Sequence, residues 1–132
     1  MLQDNFYNII SSETMPAGPG PGGVETLRII VGLDAGHPIY RGHFPGNPVV
    51  PGVCEIQVVK EALCTLKGFN GMLVSAENIK FLNIIHPAGH PVLAIDYTLK
   101  PAGADHVSVT AVIRDEETVF MKFKGILCTR PS

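Results

Sequence analysis

The sequence predicts an α+β domain in which one buried helix packs on one antiparallel sheet. Three observations carry this expectation. A single segment, Val53 to Leu66, repeats apolar residues at three- and four-residue steps. The segments Phe6–Ser12, Glu25–Leu33, Ala76–Ile85, Val92–Leu99, His106–Arg114 and Val119–Cys128 are rich in β-branched residues or alternate apolar with polar. Their order is strands, one helix, then a long run of strands, which favours a helix laid on one sheet over alternating βαβ units.

The chain has 132 residues, of which 45% are hydrophobic and 17% charged. That is one domain by length, apolar enough to exclude disorder as a whole. The formal charge is −2 and tryptophan is absent, so a nucleic-acid partner is not expected. The opening MLQDNFYNIISS lacks a basic stretch followed by an apolar one, the pattern of a secretory signal. Apolar runs fall short of the roughly 20 residues a membrane span needs. A cytoplasmic location, away from membranes, is the expectation. Cys54, Cys64 and Cys128 are odd in number and none forms CxxC. They read as small buried hydrophobes in a reducing compartment.

Taken in order, the first two strands flank Ala17-Gly18-Pro19-Gly20-Pro21-Gly22-Gly23, which opposes both helix and strand and reads as a loop. Pro38 to Gly52 holds four prolines and reads as a stiff loop. Pro51 stands where a helix can begin, and Lys67-Gly68 where it can stop. Within the helix Val53, Ile56, Val59, Leu63 and Leu66 form the stripe, widened by Val58 and Ala62. Being apolar on more than one side, this helix should be largely buried. After it, His86-Pro87-Ala88-Gly89-His90-Pro91 breaks one strand from the next, and Asp115-Glu116-Glu117 makes an acidic turn.

Chemistry points to the loop–helix junction. The stiff loop brings His43 toward the start of a buried helix, where free N–H groups favour negative charge. A proton-accepting histidine beside oxyanion donors is half of a site for proton abstraction next to a carbonyl. The same histidine could equally be a packing residue in a proline loop. At about 100° per residue, Gln57 and Glu61 lie only roughly 40° apart on the helix, whereas Glu55 is roughly 160° from Gln57. Burial of a carboxyl favours its neutral form, which suits a proton donor; beside Lys60, Glu61 could instead be a solvated glutamate. His86 and His90 lack a third nearby ligand, so no metal is expected. His37 and His106 read as a loop residue and a solvated strand residue. The glycine-rich stretch lacks the Lys-Ser/Thr of a phosphate loop.

The segment Gly42-His43-Phe44-Pro45-Gly46-Asn47-Pro48-Val49-Val50-Pro51-Gly52-Val53, followed by a helix, resembles the GHFPxxPxxPGV signature of the hotdog-fold 3-hydroxyacyl-acyl-carrier-protein dehydratases. Glu77 to Pro87 resembles their later strand entering a proline turn, and the likeness runs from about Leu27 to Cys128. The resemblance implies one long central helix wrapped by a curved antiparallel sheet, no cofactor, and two chains paired edge to edge with their sites at the interface. It implies that His43 takes the proton next to the thioester, and that the Gly52 N–H, with Val53 beside it, holds the thioester oxygen. The family acid lies fourteen residues after the histidine, where this chain has Gln57, and a glutamine eighteen after it, where this chain has Glu61. The two side chains look exchanged. A glutamine cannot shuttle a proton, so the acid role passes to Glu61, to a water held by Gln57, or to nothing. The expected function is dehydration of 3-hydroxyacyl thioesters, on acyl carrier protein or coenzyme A, in fatty-acid or polyene synthesis by a homodimer or a multiple of it. The alternatives are a hotdog thioesterase and a non-catalytic acyl-binding pathway subunit.

Overall fold

The computed structural model describes residues 5–15, 23–42 and 48–131, with side chains at 41 and 42 left aside. The glycine–proline patch at 17–22 and the His43–Asn47 stretch lie outside the described residues.

Among the described residues the strands are β1 (Tyr7–Met15), β2 (Glu25–Leu33), β3 (Leu73–Phe81), β4 (Val92–Pro101), β5 (His106–Arg114) and β6 (Val119–Cys128). They form one antiparallel sheet in the order β1-β2-β4-β5-β6-β3. The helix α2 (Gly52–Lys67) connects β2 to β3, strands from opposite halves of the sheet. This is the expected α+β hotdog plan.

Strand alternation builds the core in rows. Ile29, Ile95, Ile113 and Met121 are successive register partners, as are Leu27, Tyr97, Ala111 and Phe123. All eight are buried. Helix α2 lies on these rows with Val58, Val59, Ala62 and Leu63 buried. The Tyr97 hydroxyl, buried in the second row, donates to the Val59 carbonyl at 2.7 Å and ties sheet to helix. Gly68 ends the helix with φ 75°, its N–H bonded to the Cys64 carbonyl at 2.8 Å, a left-handed cap that glycine adopts without strain.

Several boundaries differ from the sequence reading, and β4 runs on to Pro101 rather than Leu99, paired with β5 as far as Pro101↔Val107. Strand β1 runs on to Met15 rather than stopping at Ser12, because it stays paired with β2 as far as Met15↔Thr26. Strand β3 starts earlier and ends at Phe81 rather than Ile85. Beyond it the Leu82 and Asn83 N–H groups both turn to the Phe120 carbonyl, and the ladder ends. The Pro38–Gly52 loop contains a short helix, α1 (Ile39–Gly42). His37 starts it, its Nδ1 accepting the Ile39 N–H at 3.1 Å and its carbonyl the Tyr40 N–H at 3.1 Å.

Strand β3 is pressed onto β6 at Gly125. A Cβ there would lie 2.6 Å from the Ser75 carbonyl oxygen and 2.7 Å from Phe123 Cζ. Gly125→Ala is expected to cost about 1–3 kcal/mol, read from urea unfolding midpoints. A variant as stable as the parent would show that the two backbones do not lie so close.

Candidate active site

The site is organised by the first turn of α2. Pro51 is its N-cap and offers no side-chain bond; its carbonyl accepts the Cys54 and Glu55 N–H groups at 3.0 and 3.1 Å. Gly52 and Val53 head the helix, where N–H groups have no intrahelical acceptor. The turn is held against the segment after β3 by Val50 N–H donating to the Ile85 carbonyl at 2.9 Å. Phe81, the last residue of β3, lies over Gly52: a Cβ on Gly52 would sit 2.8 Å from Phe81 Cζ. Glycine at 52 therefore serves a close approach as well as any ligand. Val53, 74% exposed, and Phe81, 52% exposed, leave an apolar rim around the turn. His43 itself lies outside the described residues.

Gln57 and Glu61 share a face, as their spacing requires. The Gln57 Nε2 donates to Glu61 Oε2 at 2.5 Å, and the Tyr7 hydroxyl donates to Glu61 Oε1 at 3.4 Å. Glu61 is 6% exposed and Tyr7 2%. The carboxylate is thus a buried, hydrogen-bonded group and not a solvated helix-end charge. Gln57 is half-buried, and with Glu61, Lys60, Cys64, Thr65 and Asn70 it lines a groove of about 410 Å³ beside the helix. Tyr7 was missed in the sequence. It lies in the first strand, 54 residues from Glu61, and nothing local marks it as a partner.

Glu55 is the other surprise. It sits in the first turn of α2, only 5% exposed, and its Oε1 has no hydrogen-bond partner. Burial pushes its carboxyl up to about 8, so the neutral acid prevails at pH 7. The Tyr40 hydroxyl, on α1, is likewise buried and unpartnered, and burial pushes it up to about 12, aided by Cys54 and Asp34. Both groups stand on elements that flank the His43 segment. No local signal marked Glu55: on a helix apolar on several sides, the wheel alone does not say which flank the sheet covers.

Among the other histidines, the side chains of His37 and His90 have structural partners. His37 packs edge-on against Phe6, with ring centroids 5.3 Å apart. His90 Nδ1 accepts the His86 N–H at 3.1 Å, and its ring lies 4.8 Å from that of Phe120. The three cysteines are free and buried, as expected of small hydrophobes.

A carboxyl that ionises near its usual 4.5 when unfolded but near 8 when folded binds a proton more tightly in the native state. Its contribution to stability is full below pH 4.5 and is lost as pH rises through 8. Glu55→Met removes the titration at similar volume. The variant is expected to flatten the fall in stability between pH 5 and 8, and to raise the thermal midpoint at pH 8 by a few degrees. An unchanged pH slope would show that Glu55 is ionised in the fold.

Comparison with known proteins fits this architecture. The family model of the ApeI dehydratases, described as ApeI-like, matches residues 23–123. The chain is 27% identical over 112 residues to the 3-hydroxyacyl-acyl-carrier-protein dehydratase FabZ of Novosphingobium aromaticivorans, covering 78% of this chain and 71% of that one. It is 24% identical over 133 residues to FabZ of Wolbachia pipientis wMel, covering 96% and 90%. With FabZ of Acetivibrio thermocellus the match spans only 59% of the relative's length, at 28% identity and 60% of this chain. The fold is shared with a protein from Erwinia carotovora subsp. atroseptica (TM-score 0.60, 21% identity, 93% of this chain and 94% of that one). It is shared too with the dehydratase heterocomplex ApeI:P from Xenorhabdus doucetiae (TM-score 0.58, 23% identity, 91% and 96%). With residues 23–123 matched by the family model, and its sheet and helix in the hotdog order, the chain belongs to the ApeI-like dehydratase family.

Proposed function

We propose that this chain dehydrates 3-hydroxyacyl thioesters to trans-2-enoyl thioesters, with the acyl group carried on acyl carrier protein or coenzyme A. The observation that supports the reading is the hydrogen-bonded Gln57–Glu61 pair, about one and a half and two and a half turns below Gly52, at the two positions where the resemblance puts its acid and its amide. His43 takes the proton from the carbon next to the thioester. The Gly52 N–H, at the head of α2 beside Val53, holds the thioester oxygen as charge develops there. The bond from the third carbon to its hydroxyl then breaks, and the hydroxyl must leave as water.

Glu61 is poorly placed to supply that proton directly, since Gln57 and Tyr7 donate to its two oxygens. On this reading the imidazolium formed on His43 is the donor: the proton taken from carbon goes to the departing oxygen, and no net proton is consumed. A second reading, in which this chain pairs with a different hotdog chain that brings the acid, is favoured by the glutamine at 57. The related ApeI:P structure is itself a heterocomplex. Either pairing has a natural seam at β3. It is an edge strand, largely exposed, with apolar Val74 and Phe81 on it and Leu82 and Ile84 just beyond it open to solvent, and long open edges are normally covered. Three free buried cysteines suit a cytoplasmic setting. Among the described residues no helix is long and apolar enough to cross a membrane.

His43→Asn is expected to slow turnover of a 3-hydroxyacyl thioester by about 10²-fold or more with folding intact. An unchanged rate would remove the histidine from the mechanism. Release of free acid in place of enoyl product would make the chain a thioesterase.

Sedimentation of the chain alone at micromolar concentration should give a dimer or a multiple of it, and Val74→Lys should shift it toward monomer. A fully active monomer would overturn the shared-edge arrangement.

A further inference from the structure

Gln57 stands where the resemblance puts an acid. Its hydrogen bonding gives it a role of its own. A primary amide has one donating end and one accepting end, and a carboxylate only accepts. With Glu61 Oε2 at 2.5 Å, the NH2 end of Gln57 must face Glu61, since a carbonyl there would set oxygen against oxygen. Tyr7 donates to the other carboxylate oxygen from the far side, so the carboxylate is itself held. Glu61 is buried and Gln57 half-buried, and both line the groove beside the helix. The free end of the Gln57 side chain is therefore its carbonyl oxygen, turned away from Glu61.

The geometry points to Gln57 Oε1 as the acceptor of a hydrogen bond from the substrate's 3-hydroxyl, with Glu61 as the positioning residue that fixes its direction. This inference rests on the acyl-thioester reading and adds a selectivity to it. A 3-hydroxyacyl group brings a donor to that oxygen. A 3-oxoacyl group brings only lone pairs, and leaves the Gln57 carbonyl facing another carbonyl in a partly dry groove. A site built to hydrogen-bond a hydroxyl discriminates against the analogue that lacks it. The locked amide thus selects the reduced substrate over its 3-oxo precursor.

The test separates binding from turnover. Pantetheine amides of 3-hydroxyoctanoic and 3-oxooctanoic acid, in which an amide replaces the thioester and suppresses reaction, are titrated calorimetrically into the whole chain. The wild type should bind the hydroxy compound at least about tenfold more tightly. Glu61→Gln, which lets either end of the Gln57 amide turn outward, should bring the two affinities to within about twofold. Because that variant removes a buried group, a measurement on the wild type stands beside it. In the proton–nitrogen spectrum one Gln57 side-chain amide proton, assigned by its loss in Gln57→Leu, should be shifted downfield and exchange slowly with solvent. Equal affinities in the wild type, an undiminished preference in folded Glu61→Gln, or a fast-exchanging Gln57 amide would each overturn the inference. Turnover of a 3-hydroxyacyl thioester is assayed separately. Selectivity without turnover would sink the dehydratase reading and keep the selective pocket. Turnover without selectivity would sink the inference alone.

Discussion

A helix sunk in an apolar shell must account for every polar group it carries, and α2 carries two carboxylates inside. An ionised carboxylate left alone in such a place costs several kcal/mol. The protein resolves the two cases differently. Glu61 is given donors, one from its own helix four residues back and one from the first strand. Glu55 is given none at Oε1 and keeps its proton instead, its carboxyl pushed up to about 8. The helix–sheet contact, with Tyr97 bonded to the middle of α2, is what forces the choice in both places.

The sheet decides where these groups end up. Strands β2 and β4 to β6 supply the continuous apolar rows, which leaves β1 and β3 at the edges with mostly exposed surfaces. Tyr7 is the exception on β1. It is buried at the start of the strand, where the chain turns in beneath the helix and its hydroxyl meets Glu61. At the other edge, β3 leaves the ladder after Phe81, and that ring comes to rest on Gly52. The two edge strands thus each contribute one side chain to the surroundings of α2, Tyr7 behind the amide–carboxylate pair and Phe81 over the helix start.

What the sequence made legible were features that one element fixes by itself. Strands Glu25–Leu33, His106–Arg114 and Val119–Cys128 have the boundaries their alternation gave. The stop at Gly68 follows from a conformation that glycine adopts freely. The pairing of Gln57 with Glu61 follows from helical pitch. What stayed hidden needed a partner from elsewhere. Strand β3 ends where Phe120, about 40 residues on, offers its carbonyl to two N–H groups. Helix α1 depends on His37 folding back on its own backbone. The burial of Glu55 depends on which flank of the helix the sheet covers, and a helix apolar on several sides does not say.

The exchange at positions 57 and 61 is more than a displaced acid. In the order that the resemblance implies, an amide at 61 would steady a carboxyl at 57, and the group facing the groove could give up a proton. Reversing the two residues conserves the hydrogen bond between them, and with it the helix-side geometry, but inverts its direction. The carboxylate now lies one turn further along the helix, where Tyr7 already provides a donor, and the end of Gln57 turned away from it is a carbonyl that can only accept. On the proposed reading such a site would hold the leaving hydroxyl by its hydrogen and leave its oxygen lone pairs free. Protonation must then approach that oxygen from another direction. On the proposed reading the donor is His43, which returns to that oxygen the proton it takes from the neighbouring carbon.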